Sequence, residues 1–160
     1  MSFSSYFTHK PGGDRVFSVE APKIKFGRGS LQEVGDDAMA LGMTRVAVFT
    51  DPRVGQMEHV TIVVESLKSK GLDAVVYDQV AVEPTDISFK EGSEFAIEGK
   101  FDGFVSVGGG SVMDTCKASN LYSCYPADFL DYVNAPIGKA IPVPGELKPH
   151  IACPTTFGTA

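Results

Sequence analysis

The order of segments along this chain predicts an α/β protein with a mainly parallel sheet and helices on both faces. Two observations carry that prediction. Short apolar runs that read as strands alternate with stretches of helical spacing, joined by short connections. The run Val46-Ala47-Val48-Phe49-Thr50 is continuous rather than alternating, as a strand covered on both faces must be.

Taken in order, Lys23 to Phe26 alternates polar and apolar residues and ends at Gly27-Arg28-Gly29, which reads as a short strand and a turn. Ser30 is placed to cap a helix over Leu31 to Leu41, where Leu31, Val34, Ala38 and Leu41 recur at helical spacing before Gly42. After the Val46 to Thr50 strand, a second helix is expected over His59 to Lys70 and a strand over Leu72 to Tyr77. Glu83-Pro84-Thr85-Asp86 is a turn whose Thr85 or Asp86 can cap a third helix that closes before Gly99. Phe104 to Val107 is the next strand, a helix follows from Ser111 to about Tyr122, and a short one is expected over Ala127 to Tyr132. The stretch Asn134 to Pro149 holds four prolines and two glycines and reads as an ordered surface loop, before a last strand at Ile151 to Cys153.

Composition narrows the function. The chain has 160 residues, 43% of them hydrophobic and 21% charged, enough for one globular domain that buries roughly 70% of its unfolded surface. A net charge of -6 offers no footprint for nucleic acid or for an anionic membrane surface. The longest apolar runs fall far short of the ~20 residues that span a bilayer. Met1 to Asp14 has neither an apolar signal core nor an Arg-rich amphipathic pattern, so the default location is cytoplasmic. Cys116, Cys124 and Cys153 lack C-x-x-C spacing, and His9, His59 and His150 are scattered, so no disulfide framework or metal site is expected.

The candidate site comes from what stands at the carboxyl ends of the strands, where parallel sheets take ligands. Those positions hold Asp51, then Gly108-Gly109-Gly110-Ser111, then Thr155-Thr156. The glycine loop follows a strand and opens a helix, so free N–H groups and the positive end of the helix dipole converge where a phosphate could rest. It is not a G-x-G-x-x-G fingerprint, because Met113 stands at the third glycine position, and no P-loop lysine follows. A plainer account makes it a tight turn with a Ser111–Asp114 capping box, yet three adjacent glycines exceed what a turn requires. Asp51 can accept both hydroxyls of an adenosine ribose and repel a 2′-phosphate, although it precedes the glycine loop instead of following it. Asp51-Pro52 alone would be a turn, Asp114 and Lys117 alone a solvated ion pair, and Thr155, Thr156 and Thr159 alone helix caps.

Together, Thr50-Asp51, the run from Gly108 to Lys117 and the run from Pro154 to Thr159 resemble the amino-terminal domain of the iron-containing (group III) alcohol dehydrogenase family. The likeness covers about Ala21 to the end and makes 1–20 an extension and 21–160 a Rossmann-like NAD-binding domain. Val82 to Asp86, Cys116 to Tyr122 and Asp128 to Lys139 are similar to the transhydrogenase branch of that family. The resemblance implies NAD held by Asp51, Glu83, Gly108, Gly109, Gly110, Ser111, Asp114, Thr155, Thr156 and Thr159. It implies divalent iron, or a similar metal, bound by a helical domain of which this chain holds no counterpart, so that the chain alone is expected not to turn over. For the transhydrogenase branch it implies that 4-hydroxybutyrate reduces the cofactor and 2-oxoglutarate reoxidises it, giving succinate semialdehyde and 2-hydroxyglutarate, in mitochondria where the source is eukaryotic. The chain departs from the family pattern at Glu83, where Asn is common, and at Phe157, where a small residue is usual. A second reading is a free-standing nucleotide-binding or interaction module that forms a homodimer through its amino-terminal strand. A third, a sugar-phosphate enzyme of the dehydroquinate synthase group, is disfavoured by Asp128 to Lys139.

Overall fold

A computed structural model describes residues 23–156. Four strands, β1 (Arg45–Phe49), β2 (Asp73–Tyr77), β3 (Gly103–Gly108) and β4 (His150–Pro154), form one sheet in the order β2-β1-β3-β4, with every neighbouring pair parallel. The helices are α1 (Val34–Ala40), α2 (Glu58–Ser69), α3 (Asp86–Gly99) and α4 (Gly110–Cys124), with 3-10 turns at Ser30–Glu33 and Val54–Gln56.

The period-2 alternation of β1 divides the core in two. Val46 and Val48 face one side with Val105 and Val107 of β3, and pack on Val34 and Ala38 of α1 and Val60, Val63 and Leu67 of α2. Ala47 and Phe49 face the other side with Phe104, against Ala96 of α3 and Val112 and Cys116 of α4. Because both faces are covered, every residue of β3 is buried, which accounts for the continuous apolar character of the two central strands. Close approach of helix to sheet and helix to helix is paid for in side-chain volume at Gly35, where a Cβ would collide with the Ser66 carbonyl, and at Gly92, where it would come 2.8 Å from Ser119 Oγ.

Two expected elements do not form. Lys23 to Phe26 pairs with neither edge strand; Phe26 is fully exposed, and Lys25 bonds instead to Glu33 and Asp37 at 2.7 and 2.8 Å. Alternation marks a strand only where a neighbour can take its backbone hydrogen bonds, and this segment has none among the described residues. Ala127 to Tyr132 is a folded turn rather than a helix, because its carbonyls are claimed from outside: Leu130 accepts from Lys139 N–H and Asp131 from Ile141 N–H, both at 2.8 Å. Ser30 is not a cap either; it is the first residue of the 3-10 turn, and α1 begins three residues later than the spacing suggested. Thr85 caps α3 in a reciprocal box with Ser88. The proposed domain boundary near residue 20 lies outside the described residues.

Candidate functional site

In the order β2-β1-β3-β4 the chain passes from β1 outward to β2 and then back across to β3, so the direction of winding reverses between β1 and β3. Such a reversal leaves a crevice at the carboxyl ends of the two strands. The structure has a cleft of about 640 Å³ there, walled by Asp51 and Arg53 after β1, Gly109 and Ser111 after β3, and Thr155 and Thr156 after β4. The strand ends are tied to one another: Thr50 Oγ1 donates to the Val107 carbonyl at 2.9 Å, and Thr155 N–H donates to the Gly108 carbonyl at 2.9 Å.

Asp51 sits in a local turn. Its Oδ1 accepts the N–H groups of Arg53 and Val54, each at 2.9 Å, and its carbonyl accepts from Gly55 at 2.8 Å. Nothing among the described residues donates to Oδ2, so one carboxylate oxygen is held in place by the turn while the other is left for a ligand. The acid precedes the glycine loop in sequence but stands beside it in space, because β1 and β3 are neighbours. The reversed order that sets this chain apart from the usual fingerprint follows from the sheet topology.

The three glycines differ in their reasons. A Cβ on Gly108 would lie 2.5 Å from Val112 Cγ2, so the strand-to-helix turn closes too tightly for a side chain. A Cβ on Gly109 would meet Thr156 Oγ1 at 3.3 Å. A Cβ on Gly110 would meet nothing within 4 Å. None of the three has a positive φ among the described residues. Packing among the described residues therefore explains Gly108 and partly explains Gly109, and gives no reason for Gly110. Gly109 is the N-cap of α4 and carries no side chain to satisfy the first turn. Its carbonyl accepts from Val112 and Met113, which leaves the N–H groups of Gly110 and Ser111 without a partner among the described residues.

Ser111 does not make the capping box with Asp114. It lies inside the first turn, and its hydroxyl donates to the Val82 carbonyl, pinning the segment after β2 over the start of α4. Through that contact Val82 becomes a cleft wall, while the neighbouring Glu83 is exposed and is not one. Asp114 is likewise off the walls, its side chain 69% exposed and 3.9 Å from Lys117. Gly108 and Gly110 flank the lining residue Gly109, and Thr159 lies outside the described residues. Sequence reasoning missed Arg53, Met57, His59, Val82 and Cys153, all of which line the cleft. Burial, with a smaller push from Asp37, raises the Cys153 thiol to about 11, so it is uncharged at neutral pH. Among the described residues no group of three or more His, Cys, Asp or Glu is placed to hold a metal ion, and no helix is long and apolar enough to cross a membrane.

Fold and cleft define a parallel, doubly wound α/β domain with an anion-ready helix terminus at its topological switch point. The chain belongs to the iron-containing alcohol dehydrogenase family, whose model matches residues 21–160. It is 52% identical over 147 residues to the mitochondrial hydroxyacid-oxoacid transhydrogenase of Rattus norvegicus, covering 91% of this chain and 32% of that protein. Among solved structures it is similar to a 1,3-propanediol oxidoreductase, with a TM-score of 0.79 and 26% identity over 91% of this chain and 37% of the other. It also resembles the NADH-dependent butanol dehydrogenase A of Thermotoga maritima, with a TM-score of 0.75 and 27% identity over 86% of this chain and 34% of that one. The chain spans about a third of the length of the curated relatives it matches.

Proposed function

We propose that the cleft holds NAD(H), and that the protein carrying this chain is a hydroxyacid-oxoacid transhydrogenase. The observation that carries the nucleotide reading is the open end of α4: among the described residues two N–H groups have no partner, nothing requires a glycine at 110, and directly across the switch point one oxygen of the Asp51 carboxylate has no donor. In this reading Gly110 and Ser111 donate their N–H groups to the pyrophosphate, with the helix dipole adding to the attraction. Asp51 Oδ2 accepts from the ribose hydroxyls, Thr155 and Thr156 offer hydroxyls from the end of β4, and Leu31, Met57 and Val82 supply apolar walls. Glu83, Asp114 and Thr159 complete the proposed set on the strength of the family likeness alone. NAD supplies the hydride acceptor when bound. The residues of this chain bind and orient it.

The family is iron-containing, and the described residues include no group of three or more His, Cys, Asp or Glu that could hold a metal ion. The identity to a rat transhydrogenase named as mitochondrial supports both the substrate class, a hydroxy acid and an oxo acid, and a mitochondrial setting. Calorimetric titration of the chain with NAD tests the cofactor reading: saturable binding that Asp51→Ala weakens supports it, and no binding by the folded chain overturns it. The activity reading is tested on the protein that carries the chain. Given 4-hydroxybutyrate and 2-oxoglutarate it should form succinate semialdehyde and 2-hydroxyglutarate in equal amounts, with no build-up of free NADH; oxidation of 4-hydroxybutyrate only against added NAD would instead make it a simple dehydrogenase.

A further inference from the structure

A second cavity, of about 260 Å³, opens where the exposed side of α3 meets the turn after α4, and it shares no wall residue with the cleft. Helical spacing builds one wall: Lys90, Ser93, Glu94 and Ile97 stand at i, i+3, i+4 and i+7 of α3 and so form a single stripe. Tyr122, from the last turn of α4, and the turn from Pro126 to Phe129 form the other. That turn is held by Lys139 and Ile141, which donate to its next two carbonyls, and by the Tyr122 hydroxyl, which donates to the Phe129 carbonyl at 2.6 Å. The Phe129 ring packs on both Tyr122 and Phe89, with centroids 5.8 and 6.0 Å away, so its orientation is set.

Two observations give this cavity a chemical preference. The Lys90 ammonium already stands over the Phe129 ring, 5.5 Å from its centroid, so the open face of that ring takes a cation. Glu94, on the same stripe, pairs with no cation among the described residues, because Lys90 is bonded to Asp86 at 3.2 Å instead. Asp128, in the turn that forms the opposite wall, adds a second exposed carboxylate. Negative charge is therefore in excess beside an aromatic face, and the volume lies below the roughly 300–1,000 Å³ of sites for drug-sized ligands.

We propose that this cavity is a binding site for a small quaternary ammonium compound, whose head group takes the place of the Lys90 ammonium over Phe129 and faces Glu94. The charge of such a head group is spread over methyl groups that can pack on Ile97 and the ring, and it carries no N–H donors that would need partners. Lys90 can yield the ring face and keep its bond to Asp86, one helical turn before it. No wall is shared with the cleft, so the site stands whether or not the cleft holds a nucleotide.

The test is an NMR titration of the isotope-labelled full chain with choline, and with its uncharged carbon isostere 3,3-dimethylbutanol, at constant ionic strength. Choline should shift the amides of 126–129 and of the outer stripe of α3 saturably, and should bind roughly three- to thirtyfold more tightly than the alcohol. Phe129→Leu should remove that preference, and Glu94→Gln should weaken choline roughly two- to fivefold. Lys90→Ala, which takes away the competing ammonium, should strengthen it. Thermal melts establish that each variant is folded; Lys90 and Glu94 are exposed, so their variants carry the test even where Phe129→Leu does not fold. The proposal is overturned if the alcohol binds as tightly as choline, or if Lys90→Ala weakens choline. It is equally overturned if neither the wild-type chain nor Lys90→Ala shows saturable shifts at 126–129.

Discussion

Gly108 and Gly110 are two residues apart, yet the structure gives them opposite sensitivities, and that contrast separates a folding role from a ligand role. Alanine at 108 places its methyl 2.5 Å from Val112 Cγ2 and 2.8 Å from Val112 Cβ. Val112 is buried and β-branched, so it has little rotamer freedom to yield. Overpacking of this kind costs about 1–3 kcal/mol, or a fall of roughly 3–10 °C in Tm for a domain of this size. Alanine at 110 meets nothing within 4 Å and lies in the first turn of α4, where its helix propensity is neutral or slightly favourable. Gly110→Ala should therefore melt within a degree or two of wild type, or slightly above it. In NAD titrations the order should reverse, because the added methyl stands beside the two free N–H groups. Loss of charged hydrogen bonds worth about 1.5–3 kcal/mol weakens binding roughly ten- to hundredfold. Differential scanning calorimetry and isothermal titration of both variants supply the two readings. Wild-type NAD affinity in Gly110→Ala, or a Tm loss equal to that of Gly108→Ala, would refute the reasoning.

His150 is bonded through Nε2 to Ser106 Oγ at 2.9 Å, and burial, with a smaller effect from Lys117, holds its imidazole down at about 4. The folded state thus binds its proton less readily than the unfolded chain, so stability should be fully present above pH 6.5 and fall by up to about 3 kcal/mol as the pH drops toward 4; His150→Gln should flatten that part of the Tm-against-pH curve, and an unchanged slope would count against it. Ser119 Oγ is buried between α3 and α4 without a partner among the described residues, so Ser119→Ala should raise stability by about 1 kcal/mol in denaturant titration, and a loss would mean that the hydroxyl is bonded after all. Burial raises the thiols of Cys116 and Cys153, so at pH 8 both should react with iodoacetamide far more slowly than a free cysteine while the chain is folded; labelling of the half-buried Cys153 at the rate of a free cysteine, read by peptide mapping, would contradict its raised thiol.

The fold was legible where one physical demand dominates a segment. β1 and β3 are covered on both faces, and that demand leaves continuous apolar runs that any reading of the sequence detects. Thr85 was legible as a cap because its hydroxyl and that of Ser88 satisfy the two N–H groups that a helix start leaves over. The failures fall where local pattern and tertiary environment part company. Lys23 to Phe26 has the alternation of a strand but no partner for its backbone. Ala127 to Tyr132 has apolar residues at helical intervals because its rings are needed elsewhere: Phe129 stacks on Tyr122 with centroids 5.8 Å apart, and the Tyr132 hydroxyl reaches the Tyr125 carbonyl at 3.1 Å. Those contacts fix a turn and use the same residues that a helix would have buried.

At the site, the strand ends could be read from the sequence, but their order in the sheet could not, and the order is what joins Asp51 to the glycine loop. Any chain wound β2-β1-β3-β4 puts the end of its first strand next to the end of its third, so an acid that comes before the loop in sequence can do the work of one that usually follows it. Arg53, Met57 and Val82 were invisible for a related reason: an exposed side chain near a strand end becomes a wall only when another segment closes opposite it, as the Ser111–Val82 contact does here. The glycines change weight as well. Counted in the sequence, all three argue equally for a phosphate; placed in the structure, Gly108 is required by Val112, Gly109 is crowded by Thr156, and the argument for a ligand rests on Gly110 and the two donors beside it. That is a narrower basis than a motif, and it ties the nucleotide reading to one residue at which an added methyl meets nothing among the described residues within 4 Å.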